Sequence, residues 1–99
     1  MVEEMIALRN KLDEKGIEWT DESQKFEFCL GGKLGIDRTH FNYKGKKISV
    51  INGYGTYGGL GILSDENEGL LELYDFESEP IGYLTADEVM KELEKRDES

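Results

Sequence analysis

One cysteine, one histidine and one proline in 99 residues remove several function classes at once. Cys29 has no second thiol to pair with, so a disulfide-stapled extracellular domain is excluded and a reducing, cytoplasmic compartment is expected. The bland reading of Cys29 is a small residue on one face of a strand. A lone His40, without a second histidine or a cysteine pair, makes a poor zinc site, and neither a metal nor a cofactor is expected. No apolar run approaches the roughly 20 residues of a membrane span. The opening M-V-E-E-M-I-A-L-R-N lacks a positive n-region and reads as an acidic helix, not a signal peptide.

Positive charge is also scarce, with 12 Lys and Arg against 22 Asp and Glu and a net charge of −10. That balance argues against general nucleic-acid binding, which depends on cations neutralising phosphates. The cations are unevenly placed. Residues 33–59 hold Lys33, Arg38, Lys44, Lys46 and Lys47 against Asp37 alone. A cationic segment on an acidic body can steer an anionic ligand to itself, or dock the body on a basic partner.

The length fits a single domain over residues 1–99, burying only about 60–65% of its unfolded surface. A deep cavity for a large cofactor is therefore not expected. Val2, Met5, Ile6, Leu8 and Leu12 fall within an arc of roughly 160° at helical spacing, predicting a helix over 2–15. Gly16 is placed to end it in a left-handed cap. Ile17 and Trp19 alternate with Glu18 and Thr20 as a short strand, D-E-S-Q at 21–24 reads as a turn, and Phe26, Phe28 and Leu30 mark a half-buried strand.

Glycines at 31, 32 and 35 loosen the connection to a β-hairpin in which Phe41 and Tyr43 alternate with His40 and Asn42. Ile48 and Val50 alternate with Ser49 and Asn52 beyond a Lys44-Gly45 turn. Leu70 to Phe76 supplies one more strand, and the only proline, Pro80, marks with Gly82 a turn leaving the sheet. Thr85 and Glu88 form a capping box, with Leu84 set to staple against Val89. Ala86, Val89, Met90 and Leu93 then share one face of a closing helix. The order predicts an α+β fold, an antiparallel sheet of four to five strands flanked by N- and C-terminal helices on one face. The other face of the sheet is left partly open for binding.

The hairpin runs into a loop rich in glycine and tyrosine, where Gly53-Tyr54-Gly55-Thr56-Tyr57-Gly58 matches G-x-G-x-x-G. A dinucleotide site needs a helix to start at that loop, and L-G-I-L-S-D-E-N-E-G has no helical period. A kinase-type glycine loop needs a far longer chain. The alternatives that stand are a binding loop with exposed backbone N–H groups and flat tyrosine surface, or a wide connection packed over the sheet edge. Asp65-Glu66-Asn67-Glu68-Gly69 fails the calcium-loop register, with Leu70 where glycine is required and Phe76 where the bidentate glutamate belongs. Arg38, His40 and Asn42 share one strand face, and Ser49 on the neighbouring strand can join them in a polar constellation. Ligand contact suits this group better than catalysis, because His40 has no identifiable nucleophile or orienting acid. No base-stacking R-G-F-G-F-V-like run is present. The candidate contact residues are Arg38, His40, Lys47, Tyr54, Gly55, Thr56, Tyr57 and Gly58, with no catalytic or metal set.

The stretch R-T-H-F-N-Y-K-G-K-K-I-S-V-I-N-G-Y-G-T-Y-G-G, followed by G-L-L-E-L and E-P-I-G-Y-L-T-A-D-E-V, resembles small uncharacterised proteins encoded by phages and prophages of Gram-positive gut bacteria. L-R-N-K-L-D-E-K-G-I-E-W fits the same pattern. The resemblance implies a mobile-element setting inside a bacterial host cell and carries no catalytic motif. Proteins of that kind commonly act by binding. The leading expectation is a non-enzymatic inhibitor that blocks a host defence protein, its acidic body mimicking nucleic acid. The alternative is capture of an anionic small molecule such as a nucleotide, and a small enzyme using His40 comes third. A homodimer is compatible with an open sheet face.

Overall fold

The computed structural model describes residues 2–25, 35–53 and 69–98. In order they form α1 (Glu3–Glu14), β1 (Trp19–Asp21), β2 (Gln24–Lys25), β3 (Gly35–Tyr43), β4 (Lys46–Gly53), β5 (Leu71–Tyr74), β6 (Ile81–Leu84) and α2 (Ala86–Glu98). The architecture is the expected α+β one: an antiparallel sheet five strands wide, with terminal helices that contact each other and the sheet. The sheet order is β1-β3-β4-β5-β6, and β2 shares the β1 edge.

Each helix end has a local cause. The Gly16 N–H donates to Asp13 O and the Ile17 N–H to Leu12 O, with Gly16 at φ +70°, which is a Schellman cap. Ile17 then packs against the core that buries Leu12. At α2 the capping box is complete. The Glu88 N–H donates to Thr85 Oγ1 at 3.2 Å, and the Thr85 N–H donates to Glu88 Oε1 at 3.1 Å. Glu4 of α1 accepts from the Ala86 N–H at 2.8 Å, placing a carboxylate at the positive end of α2. Lys11, two turns further along α1, reaches Asp87 at 2.6 Å, so α1 lies across the start of α2.

The hydrophobic core lies between the helices and one sheet face. Met5, Leu8 and Leu12 of α1 and Ala86, Val89, Met90 and Leu93 of α2 pack with Phe41, Ile48, Val50, Leu71, Leu73 and Leu84. The hairpin turn is the expected Lys44-Gly45. Both residues have positive φ, 49° and 85°, the requirement of a type I′ turn.

Four local expectations are corrected. Ile6 is 48% exposed, and the buried position beside Leu8 is taken by Arg9, at 9% exposure. D-E-S-Q does not reverse the chain, because β1 and β2 pair with β3 in one continuous register, Asp21 opposite Thr39 and Gln24 opposite Ile36. Between them the Ser23 N–H turns onto Asp21 Oδ1, and Ser23 Oγ accepts from the Arg38 N–H in place of a strand carbonyl. Asn52 faces the core with Ile48 and Val50, its amide donating to Leu70 O at 2.7 Å. The segment after Pro80 does not leave the sheet: Ile81–Leu84 pairs with β5 through a register irregularity. The Phe26–Leu30 strand and the Gly-Tyr loop lie outside the described residues.

Candidate functional site

Side chains of a strand alternate between faces, so the core positions Phe41, Ile48, Val50 and Leu73 send their neighbours to the opposite face. The pairing register then orders that face into rows. Thr20, His40, Ser49 and Tyr74 form one row across β1, β3, β4 and β5. Arg38, Ile51 and Glu72 form the row on one side of it, and Asn42 and Lys47 begin the row on the other. Arg38, His40, Asn42 and Ser49 therefore do share the face turned away from the helices. Lys47 joins them, whereas Lys46 lies on the opposite side of β4 and pairs with Glu77 at 3.4 Å.

Phe76 completes the third row. It follows β5, and its ring lies over the face beside Tyr74, with centroids 4.7 Å apart. It meets the His40 ring edge-on at 6.4 Å and 81°. Lys47 Nζ sits over the Phe76 ring, 5.1 Å from its centroid. Phe76 is nonetheless 46% exposed, and its backbone has φ +65°.

That backbone is held by Asp75, whose side chain points to the core side. Asp75 Oδ1 accepts from the backbone N–H groups of Glu77 and Ser78 at 3.0 and 2.9 Å and from Ser78 Oγ. Arg96 of α2 donates to Asp75 Oδ2 at 2.5 Å. The Ser78 and Glu77 N–H groups, with Arg96 beyond, hold the Asp75 pKa down to about 2 against the cost of burying the charge. The bend that carries Phe76 is thereby tied to the closing helix.

The electrostatics of the face are mixed. Burial lowers the His40 pKa from its ordinary value, and the cations Lys47 and Arg38 lower it further, with Glu22 opposing them. A cleft of about 860 Å³ opens from this face across the β1 edge. His40, Asn42 and Lys47 line it together with the carboxylate-bearing Asp13, Glu18 and Glu22. Such a surface can hold a small anion against Lys47 and His40, and the neighbouring acids limit how much negative charge it accepts. Among the described residues, no group of three or more His, Cys, Asp and Glu is arranged to hold a metal ion. Nor is any described helix long and apolar enough to cross a membrane.

Of the residues singled out from the sequence, Arg38, His40 and Lys47 stand within this face. Tyr54, Gly55, Thr56, Tyr57 and Gly58 lie outside the described residues. Sequence reading missed Phe76 as a surface residue by treating it as the last position of a strand. The period-two spacing of Tyr74 and Phe76 was the available signal, because it continues the row that Lys47 occupies. No family model, curated protein or solved structure matches the chain.

Proposed function

We propose that the protein is a non-enzymatic binding module that captures an anionic small molecule on the helix-free face of its sheet, in the phage-type setting that its sequence resembles. The observation that carries this reading is the placement of Arg38, His40 and Lys47 in three successive rows of one sheet face by the β3–β4 register, with His40 and Lys47 lining an open cleft. Elsewhere the chain is strongly acidic, so a small anion is drawn to this one region. Binding of sulfate, followed by NMR shifts of the β3 and β4 amides, tests it. Sulfate should perturb Arg38, His40 and Lys47, and Lys47→Ala should weaken it roughly fivefold, the worth of one exposed charge pair near 1 kcal/mol. Shifts confined to other surfaces overturn the reading.

A second reading, blockade of a basic groove on a host defence protein, has its own support. Glu3, Glu14, Asp87, Glu88 and Glu94 are exposed on the two helices. That reading requires a salt-sensitive complex with a host protein that survives Lys47→Ala and is weakened by Glu14→Gln with Glu94→Gln. The opposite pattern belongs to the small-anion reading.

A further inference from the structure

A large aromatic residue with positive φ is a rare and costly arrangement, and it persists where the surroundings impose it. Of the three non-glycine residues in this state among the described residues, Lys44 is explained by its hairpin turn, and Tyr83 lies beside the β5–β6 irregularity. Phe76 sits in neither a turn nor a strand irregularity, and although its ring rests on Tyr74 and His40, nearly half of its surface meets solvent. The four hydrogen bonds from the Glu77 and Ser78 amides, Ser78 Oγ and Arg96 to Asp75 hold the bend that projects it. The result is an aromatic ring presented over a polar face, with a cation at its surface and a histidine at its edge.

We propose that Phe76 is the stacking surface for the base of a nucleoside monophosphate, with Lys47 pairing with its phosphate. The proposal rests on the anion-binding reading above and names the ligand class for that site. An aromatic ring accepts any base through its π-face, and a neighbouring cation fixes the phosphate. Lys47 Nζ lies over the ring, 5.1 Å from its centroid, so a stacking base displaces it toward the ring edge, where the ammonium stays within reach of the ligand's phosphate. The acids Asp13, Glu18 and Glu22 line the same cleft as Lys47 and disfavour a triphosphate, which favours a singly phosphorylated ligand. In this arrangement Asp75 and Arg96 are positioning residues that act through the backbone of Phe76.

The test compares 5′-AMP, 5′-UMP and ribose 5-phosphate by calorimetric titration of the full chain. Both nucleotides should bind at least about fivefold more tightly than ribose 5-phosphate, the lower range for one stacked base. Phe76→Gly should bring all three to the same affinity. Glycine accepts φ +65°, so the variant keeps the bend, and its thermal midpoint separates lost stacking from lost fold. Phe76→Trp should retain the preference. Equal affinities for nucleotides and ribose 5-phosphate, all weakened by Lys47→Ala, would overturn stacking while leaving the anion site intact. Absence of binding by all three would overturn both readings, and a preference for 5′-ATP would overturn the single-phosphate assignment.

Discussion

Arg9 Nε donates to Thr39 Oγ1 at 2.8 Å, joining the middle of α1 to the central hairpin across thirty positions of sequence. The same guanidinium donates to Arg38 O at 3.2 Å, reaches Asp21 at 3.2 Å and lies over the Trp19 ring at 4.5 Å. The Thr39 hydroxyl donates a hydrogen bond to Met5 Sδ, so its lone pairs are free to accept from Arg9. Arg9→Ala should therefore lower stability by about 2–4 kcal/mol, the sum of lost charge-assisted hydrogen bonds and stem packing. Arg9→Lys should recover less than half of that, because an ammonium cannot serve separate acceptors through a planar fork. Urea unfolding at constant m-value measures both, and a loss under about 0.5 kcal/mol for the alanine variant would contradict the account.

The pH response of His40 has a defined sign. Its folded pKa is lowered, so below the unfolded value of 6.5 the unfolded chain takes up the proton first. Its contribution to stability is present above that value and is lost as pH falls through the folded pKa. The wild-type stability curve minus that of His40→Gln should slope downward below pH 6.5. Binding has the opposite sense, because a bound anion favours imidazolium beside Lys47 and Arg38. Sulfate remains a dianion across this range, so its affinity should rise as pH falls from 8 to 5.5 in the wild type and stay flatter in His40→Gln. Glu22 is the group that moderates both effects.

Short-range signals in the sequence are those that the structure repeats. The capping box at Thr85 and Glu88, the Gly16 cap and the Lys44-Gly45 turn each need only a few adjacent residues. The alternation of Phe41, Tyr43, Ile48 and Val50 likewise fixes which side of the hairpin faces the helices. What sequence could not supply depends on residues far apart in the chain. Arg9 looks like a surface charge until Thr39, Asp21 and Trp19 surround it. Ile81–Leu84 follows a proline and carries a glycine, yet β5 offers it a free edge. Phe76 changes from strand end to exposed platform because Asp75 finds its partner on α2, about twenty residues later. The row of Arg38, His40 and Asn42 was legible from period two, whereas its juxtaposition to Phe76 was not.

Lys44 occupies a left-handed position that lysine adopts at a cost, with φ +49° at the first central residue of a type I′ turn. Asparagine is far better suited there. Lys44→Asn should raise stability by about 0.5–1 kcal/mol, part of the left-handed penalty. Loss of the contact between Lys44 Nζ and the Tyr43 ring, 5.6 Å apart, offsets a little of the gain. Thermal unfolding of the variant checks this, and a lower midpoint would mean that the side chain contributes more than the turn geometry.

Asp75 and Arg96 couple the Phe76 bend to α2, and acid should uncouple them. The Asp75 pKa is held down to about 2, so its contribution to stability is present above the ordinary value of 3.8 and lost as pH falls toward 2. Asp75→Asn should remove that acid sensitivity and lower stability at neutral pH, leaving Arg96 beside a neutral amide. Truncation at the two ends is unequal. Arg96→Ala leaves Asp75 with the Glu77 and Ser78 donors and should cost about 1–3 kcal/mol, the range for one charge-assisted hydrogen bond with its desolvation. Asp75→Ala removes the acceptor shared by Arg96, Ser78 Oγ and both amides and should cost more, about 3–5 kcal/mol, the range for a buried ion pair that loses one partner. Unfolding measured between pH 2 and 7 separates these effects. Equal losses in the two alanine variants would show that Arg96, rather than the backbone amides, fixes the bend.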